Sequence, residues 1–226
     1  MRLNSIDPKI SSAFKSVPAG MEVLVDSIYH ILPISGKSDG TVKMPATLKF
    51  FGTVVGQADA AGVPTTLEDT NMESANAIGD PYIFWGQHIQ AFILPAKANL
   101  TPAIALIDKT NPEMSLANDA AQILNRGSVT ISVQNQPLAI IAPVGTIPAG
   151  MGQIGVGYGS FDTNLGNTTS VNGTPSVDNG YPIDLYLEKL LTFGFKVEFP
   201  SQFAVYNDLR LGFRIVGFKM RPRLGA

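Results

Sequence analysis

The strongest pattern in the chain lies toward its end. Residues 185–199 (LYLEKLLTFGFKVEF) set Phe193, Phe195, Val197 and Phe199 at a strict period of two. Residues 209–220 (LRLGFRIVGFKM) repeat the pattern with Leu209, Leu211, Phe213 and Ile215, and place Arg210, Gly212 and Arg214 on the opposite face. A pleated strand with one face on a core and the other toward solvent or a partner has this period. The same reasoning marks residues 128–134 (SVTISVQ), with Val129, Ile131 and Val133 on one face, and, after a turn at Asn135-Gln136-Pro137, residues 138–141. Enrichment in β-branched and aromatic residues marks further strands at 22–32, 47–55, 82–85, 89–94 and 103–107.

Two segments read as helices. Asp7-Pro8 offers an N-cap followed by proline at the first helical position, and Ile10 and Phe14 share a face, so 1–20 is predicted as an arm with a short helix. Asn111-Pro112, with Glu113 in the first turn and Gly127 beyond the end, predicts a second helix over 111–125. The polar, acidic stretch 57–80 and the Gly/Asn/Thr-rich stretch 145–180 are predicted as long loops, the latter with one short strand near Ile154. About eight strands, two helices and no internal repeat predict a mostly β chain. The expected architecture is an antiparallel β-sandwich, a single jelly roll over 21–226.

Composition changes this picture in one respect. Of the 226 residues, 15% are charged, against about 25% in a typical soluble domain. So neutral a surface is expected to be covered by partner subunits. The net charge of −2 disfavours a generic nucleic-acid binder, but the charge is unevenly spread. Arg210, Arg214, Lys219, Arg221 and Arg223 close the chain with no acid after Asp208; Arg2, Lys9 and Lys15 open it; and no Lys or Arg lies between Arg126 and Lys189. Because the apolar alternation stops at Phe218, residues 220–226 are expected to serve contacts more than folding.

The search for chemistry is short. The chain has no cysteine, which removes disulfides, thiolate metal sites and cysteine nucleophiles. His30 and His88 have no companion at metal-ligand spacing. The glycines at 152, 155, 157 and 159 are not followed by a helix that would hold phosphate, and no G-x-S-x-G elbow occurs. Glu68, Asp69, Glu73 and Asp80 read as a solvated acidic loop, and Trp85 with Tyr82 and Phe84 as core. A non-enzymatic protein with no cofactor, no metal and no small-molecule substrate is expected. Asp7, Pro8, Lys9 and Lys15 interrupt any leader-like apolar run, and no run of about 18 apolar residues occurs, so synthesis and folding in a cytoplasm are expected.

Three late features combine: the entry Tyr181-Pro-Ile-Asp-Leu185, the Phe-alternating strand ending at Phe199-Pro200, and the closing run Gly217-Phe-Lys-Met-Arg221-Pro222-Arg223. With the short opening helix and the long central loops, this layout resembles the jelly-roll capsid proteins of icosahedral tailless bacteriophages, some of which enclose a membrane. The resemblance implies a virion shell component that assembles with copies of itself and with other virion proteins. It further implies that Arg210, Arg214, Lys219, Arg221 and Arg223, and in the arm Arg2, Lys9 and Lys15, would meet phosphates of an internal membrane or genome. A phage tail or fibre component and a jelly-roll carbohydrate-binding protein are the alternatives, the latter needing an exposed aromatic platform at Trp85.

Overall fold

The computed structural model describes residues 21–58, 62–96, 116–148, 154–157, 168–171 and 180–223. Ten strands and one α-helix are described: β1 (Met21–Ile34), β2 (Thr47–Phe50), β3 (Ile83–Pro95), α1 (Leu116–Arg126), β4 (Ser128–Val133), β5 (Gln136–Ile141), β6 (Ile154–Gly157), β7 (Thr168–Val171), β8 (Tyr181–Leu187), β9 (Phe193–Glu198) and β10 (Leu209–Pro222). Two antiparallel sheets of four strands run in the orders β1-β10-β3-β8 and β2-β9-β4-β5, and β6 and β7 pair separately.

The two four-stranded sheets share one buried cluster. Phe213 of β10 crosses between them. Its ring centroid lies 4.8 Å from Phe50 of β2 and 4.7 Å from Phe195 of β9, and Phe51 adds a further ring 5.4 Å from Phe195. Aromatic pairs of this geometry each contribute roughly 0.5–1.5 kcal/mol beyond the area they bury. Ala120, Ile123 and Leu124 of α1 join the same cluster on one helical face. Asp119, also buried, accepts hydrogen bonds at Oδ2 from the Tyr206 and Asn207 backbone N–H groups, at 3.1 and 2.8 Å, fixing the turn that leads into β10. Burial raises its carboxyl pKa above the ordinary value, against the opposing pull of these bonds.

Several predicted boundaries move, each for an identifiable reason. The strand expected over 47–55 stops at Phe50, because Phe51 takes a left-handed backbone (φ 63°). The two strands expected at 82–85 and 89–94 are one strand, β3, interrupted by a bulge between Gly86 and His88. The bulge lets Gly217 of β10 pack flat on the β3 backbone, where a Cβ would sit 2.0 Å from the Trp85 carbonyl oxygen. The continuous pattern over 185–199 is two strands from different sheets, parted near Leu190 (φ 59°). The turn expected at Asn135-Gln136-Pro137 sits one residue earlier. Gln134 (φ 48°) and Asn135 (φ 65°) form it with the two positive φ values of a type I′ hairpin, and Gln136 already pairs with Val133.

Loop 57–80 is not simply a solvated surface, since Met72 and Ile78 belong to the main core and Thr70 is fully buried. Within 145–180, two short strands pair where one was expected. The second helix ends at Arg126, with the Gly127 N–H donating to the Ile123 carbonyl at 3.2 Å. The opening helix, the strand at 103–107 and the cap at Asn111 lie outside the described residues.

The last strand runs further than its pattern suggests. Met220 is buried against Val23 and Trp85, and pairing with β1 continues to Met21↔Pro222. Residues 220–222 therefore contribute to the fold. A chain ending at Pro222 should unfold within about 0.5 kcal/mol of the parent, whereas one ending at Lys219 should lose about 2–4 kcal/mol, measured by urea titration. Phe213→Ala should cost about 3–5 kcal/mol in the same assay, because the cavity it leaves opens onto both sheets.

Candidate functional site

The basic residues of the final strand do not form one patch. Alternation sends Arg210 and Arg214 to the outer face of the first sheet, while Lys219 turns toward the Tyr82 side, its Nζ 4.2 Å from that ring centroid. From Arg210 to Arg223 the strand extends about 40 Å at roughly 3.3 Å per residue. Pairing with β1 also brings acids opposite the bases. Arg221 Nε donates to Glu22 Oε1 at 2.7 Å, Lys219 Nζ stands 3.8 Å from Asp26 Oδ2, and Arg223 Nε donates to the Met21 carbonyl at 3.2 Å. The basic run thus folds back onto the two acids of β1. Arg2, Lys9 and Lys15 lie outside the described residues.

Strand β1 is an edge strand, and a neighbouring segment closes the second half of its free side. Alternate N–H groups from Ser27 to Pro33 point away from β10, and each is accounted for. The Ser27 N–H donates to its neighbour Asp26 Oδ1 at 2.8 Å, the Tyr29 N–H to Asn71 Oδ1 at 2.9 Å and the Ile31 N–H to the Asp69 carbonyl at 2.7 Å; Pro33 has no N–H. Asn71 Nδ2 donates in turn to the Ser27 carbonyl at 2.7 Å, and the Tyr29 hydroxyl donates to the Leu67 carbonyl. Residues 66–72 therefore cover this half of the edge without forming a regular strand, which blocks addition of a further strand there.

Beside that cover lies a cavity of about 310 Å³, bounded by His30 to Ser35, Thr53, Val63 to Thr65, Asp69, Ala96 and Asp208 to Arg210. Most of its lining is aliphatic. Val63 at its rim is 58% exposed. His30 forms part of the inner wall. Its Nδ1 accepts the Phe51 N–H at 2.7 Å, so the neutral ring carries its proton on Nε2, which has no partner. That bond holds Phe51 in its left-handed conformation and ends β2. Burial lowers the His30 pKa from 6.5 to about 4, with nearby Asp69 opposing the shift.

The opposite edge of the second sheet is different. Strand β5 pairs with β4 on one side, and its outward side chains Leu138 and Ile140 are 47% and 70% exposed. Residues 136–148 contain no charge. Charged side chains are the usual guard of an exposed edge, and among residues 136–148 only Pro137 serves that purpose. The sequence marks Leu138 to Ile141 as a strand without fixing its faces; Ile141 turns to the core, and Leu138 and Ile140 fall on the outer face of the sheet. The other candidates are dispersed or engaged. Trp85 donates from Nε1 to Asp184 Oδ1 at 2.7 Å and leans on Phe218, on the outer face and not in the main core. Asp69 accepts from Thr66, and Asp80 pairs with Lys189 at 3.3 Å. Among the described residues no three His, Asp or Glu side chains converge as a metal site would require, and no helix is long and apolar enough to cross a membrane.

No protein-family model, curated protein or solved structure matches the chain.

The buried, neutral His30 has a measurable consequence. Between about pH 6.5 and pH 4 the unfolded chain binds a proton at this residue that the folded chain refuses. Its contribution to stability is therefore full above pH 6.5, falls as the pH drops through that window and levels off below about pH 4. The loss should total about 3 kcal/mol. In His30→Asn, whose side-chain oxygen can still accept the Phe51 N–H, the parent-minus-variant stability difference should shrink over this window, read from urea titrations at each pH.

Proposed function

We propose that the chain is a self-assembling shell protein, a single jelly roll that packs against copies of itself and other virion proteins. The observation that carries this reading is the strand order. With the β6-β7 hairpin set aside as an insertion, the remaining eight strands pair first with eighth, second with seventh, third with sixth and fourth with fifth. The eighth then joins the third and the seventh joins the fourth. This is the order of one long antiparallel ribbon rolled over on itself into two sheets, the arrangement of jelly-roll domains, which recur in viral shells.

A fold alone does not assign a function, so support must also come from the surface. The low charge content, the uncharged aliphatic edge at β5 and the aliphatic cavity at the other edge all suit burial against protein. The carbohydrate-binding alternative would need Trp85 as a platform, whereas its Nε1 is engaged by Asp184 and its ring leans on Phe218. A role for the basic terminus against lipid or genome phosphates loses support, because Arg221 and Lys219 face Glu22 and Asp26.

Light scattering behind size exclusion, with negative-stain imaging of the peak, tests the proposal. Discrete oligomers or closed particles whose population rises with concentration are expected. A strict monomer at the highest soluble concentration would overturn it.

A further inference from the structure

Resting on the self-assembly reading, we infer that two copies join at the open first half of β1, antiparallel and about a two-fold axis, so that their first sheets become one continuous sheet. The partner this edge fits is an extended strand, and a second β1 supplies one.

The open half is defined by hydrogen bonds. The β1–β10 register runs without a shift from Met21↔Pro222 to Ile34↔Leu209. The odd-numbered residues turn their N–H groups outward at Tyr29 and Ile31, so they do the same at Val23 and Val25. Asn71 and Asp69 take the groups of Tyr29 and Ile31; among the described residues, Val23 and Val25 have no such partner. Val25 is 68% exposed and Leu24 beside it 37%. Residues 21–26 are also about as long as an average strand, roughly five or six residues. The usual guards are missing from this stretch. It contains no proline and no bulge, and its two acids are engaged within the subunit, Glu22 by Arg221 at 2.7 Å and Asp26 by Lys219 at 3.8 Å.

The shape of this edge makes a second copy its complement. Residues 66–72 close β1 only from Ser27 onward. In an antiparallel pair the closed half of each strand lies beyond the open half of the other, so neither obstructs. Chemistry then selects the register, because outward residues must face outward residues. Centring the axis on Glu22 or on Leu24 sets acids directly opposite one another, which is unfavourable. Centring it on Val25 sets Val23 against the partner's Ser27, whose N–H is already bonded to Asp26. Centring it on Val23 avoids both: Val23 meets the partner's Val23, Met21 the partner's Val25 and Leu24 the partner's Glu22. In that register an existing apolar cluster is continued across the axis. Met21, Val23, Phe218, Met220 and Trp85 pack together on the outer face of the first sheet, apart from the main core, and stop at the open edge. The row Trp85–Phe218–Val25 then runs on to the partner's Met21. A contact between like patches is isologous and closes at two copies.

Proline tests this directly, because β1 already carries Pro33 at an outward position. Val25→Pro removes an outward N–H and none that pairs with β10. It should weaken self-association at least about tenfold, read by sedimentation equilibrium, with the thermal midpoint of dilute protein unchanged. Should that variant fail to fold, Val25→Lys keeps the N–H but places a charge on the apolar row, and the same loss is expected. Unaltered association in either folded variant would overturn the inference. Hydrogen exchange resolved to single amides gives an independent readout. In the parent, Val23 and Val25 should exchange fast when dilute and become protected as concentration rises. Assembly by light scattering with both amides still fast, or protection of both at every dilution, would overturn the inference and leave the shell reading standing. A parent that stays monomeric would overturn both.

Discussion

The structure depends first on the contact of Phe213 with Phe50 and Phe195. The rings come from three strands, β2 lying far in the chain from the consecutive β9 and β10, and they are where the two sheets become one core. Much of the rest is arranged around that meeting. The His30–Phe51 bond ends β2 so that Phe50 and Phe51 both face inward. The break at Leu190 turns the chain from one sheet to the other so that Phe193 and Phe195 arrive opposite Phe213. Asp119, buried on α1, holds the turn from which β10 departs.

Electrostatics follow from the same pairing. Read linearly, the chain looks polarised, with bases gathered at its ends. In three dimensions β10 lies beside β1, and Glu22 and Asp26 stand opposite Arg221 and Lys219. The polarity is largely internal to the first sheet. On the outer surface, charge is scarce along β5, and on the opposite flank residues 66–72 close β1 from Ser27 onward.

The strands most legible in the sequence were those buried on one face only. Val129 and Ile131, Phe193 to Phe199, and Leu209 to Ile215 alternate because one side of each strand meets the core and the other does not. Legibility failed where tertiary contacts overrode local pattern. Nothing in TLKFFGTVV announces that Phe51 will be left-handed; a distant histidine nitrogen decides it. The apolar-rich run over 185–199 conceals a change of sheet, because residues on both sides of Leu190 bury side chains in the same core. The acidic character of 57–80 hides Met72 and Ile78, which pin that segment to the core while Asn71 serves the edge of β1. The candidate contact surface was the least legible part. Leu138 and Ile140 are aliphatic like core residues, yet alternation puts them on the outer face of the sheet, while Ile141 meets the core.

The nesting of first strand with last also governs when the molecule can exist. Arg221 reaches Glu22 across 199 residues and Asp208 reaches Gly36 across 172. During synthesis at roughly 5–20 residues per second, β1 would wait on the order of ten to forty seconds for β10 to emerge. β3, too, stays unpaired with the centre of its sheet until then. So much long-range pairing belongs to the slow end of folding. A chain interrupted before its final strand could keep the β4–β5 hairpin but would have no centre to its first sheet and no Phe213 to join the layers. Synthesis of β10 is thus the step that joins the two layers.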